Sequence, residues 1–165
     1  MTNKQAPAAD VAALQAALAA EHAAVYGYGV AGALMQGNDQ DTAMSYWRSH
    51  QDARDTLTAM IARLGATPVA ASAAYDLPFT VNDAASARRL AVYIEEGVTR
   101  AYLAIVAVSD ASLRAFGALA MQEPADRATA WSGQTTAFPG MTPAALAPKT
   151  ALAPKTALAT GMLPT

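Results

Sequence analysis

Cysteine is absent from the 165-residue chain, and histidine occurs only twice, at His22 and His50. The first absence excludes a disulfide scaffold, Cys-ligated zinc, iron–sulfur clusters and a thiol nucleophile. Charge is scarce too. Eleven basic and 13 acidic residues make up 15% of the chain and leave a formal net charge of -2, against about 25% charged residues in an ordinary domain. So balanced a set gives no field to attract nucleic acid or anionic lipid. Neither partner is expected. A signal peptide is not apparent, because Met1 to Pro7 is polar and the apolar run that follows is broken by Gln15, Glu21 and His22. Val11 to Met35 is long enough to span a bilayer, but Glu21 and His22 would lie near its middle, where a charge costs at least about 2.5 kcal/mol. The expectation is a cytoplasmic protein.

What the chain has in excess is alanine, roughly a quarter of all residues, within a hydrophobic fraction of 53%. One domain with a single core fits this length. Helical periodicity runs through four segments. In the first, from about Asp10 to Gln36, Val11, Leu14, Leu18, Glu21, Val25, Tyr28, Gly32 and Met35 recur every three or four residues. Asp10 is the expected cap and Gly37-Asn38 the stop. The second, from about Asp39 to Leu64, has Asn38, Asp39 and Asp41 as competing caps and Gly65 as its stop. Its stripe reads Ala43, Trp47, His50, Arg54, Leu57, Ile61, Leu64. The third starts at Asn82 or Asp83 and carries Leu90, Ile94, Val98, Ala101, Ile105 and Val108, with Glu95 and Tyr102 beside them. Ser109-Asp110 caps a fourth, which Pro124 should kink or restart before Trp131.

Between the second and third helices, residues 66–81 hold Pro68, Pro78 and Tyr75-Asp76-Leu77-Pro78-Phe79 without helical period. So long a connection needs a reason. Extended chain at about 3.3 Å per residue can run the length of a bundle. Two short-looped hairpins joined by one long crossover give an all-α, four-helix bundle of ferritin-like connectivity. The expected division is an N-terminal arm over 1–9, the bundle over 10–134, and a tail over 135–165. In the tail, Ala145 to Thr150 (ALAPKT) repeats at Ala151 to Thr156. A proline every six residues prevents a continuous helix, so the tail is expected to be extended or disordered, or to act as a docking peptide for a protein partner.

Particular runs resemble a known group. Glu21-His22-Ala-Ala-Val-Tyr-Gly-Tyr-Gly, His50-Gln-Asp-Ala-Arg54-Asp55, Tyr75-Asp-Leu-Pro-Phe79 and Thr135-Thr-Ala-Phe-Pro-Gly140 are similar to ferritin-like domains of unknown function common in actinobacterial proteins. The resemblance covers about residues 10–140. It implies a four-helix ferritin-like fold and brings no reaction with it.

Di-metal sites in such bundles take a Glu from each of two helices and Glu-x-x-His from each of the other two. This chain offers Glu21, Glu95 and Glu96, and a His50 preceded at three residues by Trp47 rather than Glu. The fourth segment has Glu123 and Asp126 but no histidine. The candidate cluster is therefore Glu21, His50 and Glu95, with Arg54 as a competing ion-pair partner one turn past His50. A buried polar network is the favoured reading, since Arg can satisfy a carboxylate bidentately and would repel a cation. No cofactor is expected on that reading; iron or manganese belongs to the alternative. Tyr26, Tyr28, Trp47, Tyr93 and Tyr102 are core candidates whose polar tips suit His50 or the acids. Gly27-Tyr-Gly29-Val-Ala-Gly32 matches a dinucleotide motif letter for letter but lies inside a helix with no strand before it. Its glycines are expected to form a close-packing face, within the bundle or across a homodimer. Three functions follow: a non-catalytic binding or structural bundle, a metal-dependent oxidoreductase or iron-handling protein, and an assembly subunit tethered by its tail.

Overall fold

Two long helices, α1 (Ala8–Ala33) and α2 (Asn38–Arg63), are joined by a four-residue turn and pack as an antiparallel hairpin. These and the following elements come from a computed structural model that describes residues 7–134. Helix α3 (Ala84–Ile105) also packs on α1, and α4 (Ala111–Ala120) and α5 (Gln122–Ser132) pack on α3. The fold is an all-α bundle. Among the described residues no helix is long and apolar enough to cross a membrane.

Side-chain ties fix the helix directions. Asp10 at the start of α1 accepts hydrogen bonds from the Ser109 and Asp110 amides just past the end of α3. At the opposite end Arg88, early in α3, pairs with Asp39, early in α2. Helix α3 therefore runs antiparallel to α1 and parallel to α2, so the chain must return along the bundle between α2 and α3. It does so beside α1. Gln15 donates to the Thr67 carbonyl at 2.7 Å and accepts from the Val69 amide at 2.8 Å, and His22 bonds the Val69 carbonyl. Higher up, the Tyr26 and Tyr75 rings meet at 5.3 Å, and Arg89 of α3 covers Phe79 at 4.6 Å. A 26-residue helix is about 39 Å long at 1.5 Å per residue, and this crossover spans most of α1, as its length and prolines suggest.

Several local expectations need correction. Asp10 does not cap its own helix; Pro7 occupies the N-cap without a side-chain bond. The Asp10 carboxylate lies in the first turn of α1, where it gathers the Ser109 hydroxyl and two amides ahead of α4. Those backbone bonds from Ser109 lead in holding its pKa below the ordinary carboxylate value, with Arg114 adding to them. None of Asn38, Asp39 and Asp41 caps α2 either, because Gly37 holds the N-cap at φ +57°. Gly65 does stop α2. At φ +79° it donates to Ala62 while Ala66 donates to Ile61, the paired bonds of a Schellman stop. Asp83 and Ser86 form a reciprocal capping box at the start of α3, and Asp110 caps α4.

The fourth helical segment is two helices. Pro124 has no amide to donate to the Ala120 carbonyl, and its ring crowds that carbonyl. The chain breaks at Met121 and restarts with Pro124 in the first turn of α5. The glycines of the expected packing face differ in their surroundings, and Gly27 is buried on α1. Gly29 is exposed with open space beside it, and a Cβ at Gly32 would make ordinary contact with Ala43 at 3.8 Å. A tight position is Gly117 on α4, where a Cβ would stand 2.8 Å from the Ile105 Cβ and 3.0 Å from the Tyr102 carbonyl oxygen. The core lies along the seams. Leu14, Leu18 and Tyr28 of α1, with Met35 in the turn that follows it, meet Leu57 and Ile61 of α2 and Leu90, Ile94, Val98 and Ile105 of α3. The N-terminal six residues, the repeat tail and the Thr135–Gly140 motif lie outside the described residues.

Candidate functional site

The same stripes that build the core deliver three ionisable side chains to its centre. Glu21, His50 and Glu95 are 2%, 1% and 0% exposed, values that leave no solvent to carry their charge. The imidazole of His50 bridges the two acids, with Nδ1 at 2.7 Å from Glu21 Oε2 and Nε2 at 3.3 Å from Glu95 Oε1. Burial alone would lower the pKa of His50. Hydrogen bonds and negative charge from Glu21 and Glu95 outweigh it and raise the pKa to about 9, so the imidazolium persists at neutral pH.

Each acid also accepts a hydrogen bond from a phenol. Tyr28 donates to Glu95 Oε1 at 2.5 Å and Tyr102 donates to Glu21 Oε1 at 2.8 Å. Burial and the neighbouring carboxylates hold both phenols well above their ordinary pKa, so each stays a donor. The exchange is reciprocal for a geometric reason. Glu21 precedes Tyr28 by seven residues on α1, and Glu95 precedes Tyr102 by seven on α3. Seven residues are two turns, about 10.5 Å along one face. On antiparallel helices the tyrosine of each then sits level with the glutamate of the other. The result is a palindromic chain, Tyr28–Glu95–His50–Glu21–Tyr102, with the imidazole at its middle.

Around it lies a second cation, though not the one expected. Arg54 does not join the network; it pairs with Asp55, and its side chain is 28% exposed. Counting from His50, Arg54 is rotated by about 40° around the helix, whereas Leu57 stays within about 20° and is buried. The buried cation is Arg127 of α5, 5% exposed, paired with Glu123 and stacked 4.7 Å over the Tyr46 ring. Its positive charge opposes the upward shift of both Tyr28 and Tyr102. Trp131, also on α5, donates to the Tyr28 hydroxyl at 2.9 Å and meets Tyr46 edge-on. Trp47 is used locally, donating to the Val25 carbonyl, and Tyr26 packs against the crossover. Two buried polar atoms, Glu95 Oε2 and Arg127 Nε, have no hydrogen-bond partner among the described residues.

Glu21 and His50 lie on their helical stripes and Glu95 beside its own, and the structure brings the three together with the hydroxyls of Tyr28 and Tyr102 on the acids. Arg127 is not legible in the sequence, because its helix has no apolar stripe long enough to assign a buried face. One signal for the reciprocal pairing was in plain view: the spacing Glu-x6-Tyr occurs once on α1 and once on α3. Among the described residues, no group of three or more His, Asp or Glu side chains is arranged to hold a metal ion.

An all-α bundle with a buried imidazole clamped between two carboxylates is the class of protein that the fold and site define. The chain belongs to the family described as a domain of unknown function, DUF4439, which it matches over residues 13–143. It is similar to the conserved hypothetical protein rv2844 from Mycobacterium tuberculosis, known from a crystal structure. The two share 38% identity with a TM-score of 0.74, over 77% of this chain and 97% of that one. No curated protein matches the chain.

Proposed function

We propose that this protein is a non-catalytic, ferritin-like bundle, cytoplasmic and acting as a binding or structural module, in which a buried polar network stands where related bundles hold two metal ions. The observation that carries the reading is the placement of His50. A metal-ligating imidazole presents one free nitrogen to the ion. Here both nitrogens address carboxylates, and the ring itself occupies the space between Glu21 and Glu95. The donors around the acids point the same way. Each glutamate receives a phenolic hydrogen bond in addition to the imidazole. With His50 protonated between them, the two buried carboxylates share one cation and each accepts a phenolic hydrogen bond, contacts that make buried ions tolerable. The residues present do not fit a di-metal centre.

The test is elemental analysis of full-length protein purified without chelator, alongside Glu21→Gln. The expected result is no stoichiometric iron or manganese in either protein and a lower thermal midpoint in the variant. A stoichiometric transition metal in the wild type, lost in the variant, would replace this reading with the oxidoreductase or iron-handling one.

A further inference from the structure

The two tyrosines occupy matching places in the network, but their outer surroundings differ. Tyr28 accepts a hydrogen bond from the Trp131 indole at 2.9 Å, and its ring lies 6.2 Å from Tyr46, which is itself 5.9 Å from Trp131. Tyr28 is fully buried, whereas Tyr46 and Trp131 are partly exposed. Three oxidisable rings therefore lead from the bundle centre to its surface. Tyr102 has Phe116 as its ring neighbour, at 6.0 Å, and a phenylalanine ring gives up an electron far less readily.

A phenol loses an electron easily only if its proton departs at the same time, because the phenol radical cation is a strong acid. Glu95 Oε1, 2.5 Å from the Tyr28 hydroxyl, is placed to receive that proton. Arg127 adds direction. Its guanidinium lies over the Tyr46 ring, where a cation opposes positive charge on the π-system. An electron vacancy that enters the aromatic chain is thereby driven off Tyr46 and settles where a proton acceptor waits.

We propose that Tyr28 is a redox site, a buried one-electron donor connected through Trp131 and Tyr46 to a high-potential one-electron oxidant at the protein surface. In the step, the O–H bond of Tyr28 breaks, its proton forms an O–H bond on Glu95, and its electron passes along the aromatic rings to the oxidant. The oxidant is reduced by one electron, and Tyr28 becomes a neutral phenoxyl radical shielded from solvent. Return of one electron and the Glu95 proton restores the starting state. This activity goes beyond the structural reading and uses no metal.

The experiment is flash photo-oxidation of full-length, metal-free protein with a ruthenium(III) polypyridyl complex, followed by optical and electron paramagnetic resonance spectroscopy. The wild type should give a long-lived neutral tyrosyl radical. Tyr28→Phe should lose it, Tyr102→Phe should keep it, and Trp131→Phe should form it more slowly. Tyr102→Phe removes the same kind of phenol–carboxylate bond, so it controls for destabilisation, and circular dichroism confirms that each variant is folded. An unchanged long-lived signal in Tyr28→Phe, or its loss in Tyr102→Phe alone, overturns the proposal. So does a wild type that yields only short-lived radicals.

Discussion

As the pH rises from 6.5 towards 9, this bundle should lose stability that His50 supplies. The folded pKa of about 9 lies above the ordinary value of 6.5, so in this interval the folded state binds a proton that the unfolded state has released. The stabilisation is complete below pH 6.5 and gone once the pH has passed through the folded value. At about 1.4 kcal/mol per pH unit, the full displacement corresponds to about 3 kcal/mol, a large part of the 5–15 kcal/mol that a domain commonly has. The physical cause is the loss of one donor. Neutral imidazole keeps a single N–H, so either Glu21 or Glu95 then faces a lone pair in the core. Urea unfolding at intervals from about pH 6 to about pH 9.5 measures this directly. That window stays below the titration of Tyr28 and Tyr102, which burial pushes upward. Wild-type stability should fall throughout it. In His50→Gln the curve should be nearly flat and low at every pH, because two buried carboxylates remain without their cation. If that variant does not fold, Glu21→Gln serves instead, and its loss of stability should be centred at lower pH, since one of the two groups raising the His50 pKa is gone. A wild type whose stability is constant across the window refutes the clamped imidazolium.

Other perturbations test the packing and the charge assignment. Gly117→Ala should lower stability by about 1–3 kcal/mol, the range for overpacking, because its Cβ would fall 2.8 Å from Ile105; Gly29→Ala, with open space beside it, should raise stability by about 0.5–1 kcal/mol. Thermal or urea unfolding reads both, and a harmless Gly117→Ala contradicts the α3–α4 contact. Arg54→Ala should change stability by no more than about 0.5 kcal/mol, whereas Arg127→Ala should be clearly destabilising; equal effects would restore Arg54 to the network. Asp10→Asn should weaken the tie between α1 and the start of α4. The lowered Asp10 pKa means that its contribution is present above the unfolded value of 3.8 and disappears as the pH falls through the folded one. An acid unfolding profile identical to wild type would count against it.

The parts of the site that could be read from sequence are those that obey one helix at a time. Glu21 lies on the Leu14–Leu18–Tyr28 stripe and His50 on the Ala43–Leu57–Ile61 stripe, so their burial follows from the helical repeat. Arg54 shows the limit of that reasoning. A stripe drawn at three- and four-residue steps is wide enough to include it, but the seam that the partner helices actually close is narrower, and a long flexible cation at the edge turns outward to Asp55. Asp10 shows another limit: its position before an apolar run suggested a local cap, yet its partners are about a hundred residues away.

By itself, the sequence determined the helices, their approximate ends, the returning crossover and the burial of Glu21 and His50. These follow from local periodicity, from proline and glycine chemistry, and from the reach of an extended chain. Only the tertiary structure decided which groups answer those charges. The reciprocal Tyr–Glu bonds depend on the axial register of α1 against α3, and the buried Arg127 and Trp131 depend on where α5 settles after the break before Pro124. Register and docking are set by the sum of many side-chain contacts between segments distant in the chain, and no single stretch of sequence contains that sum.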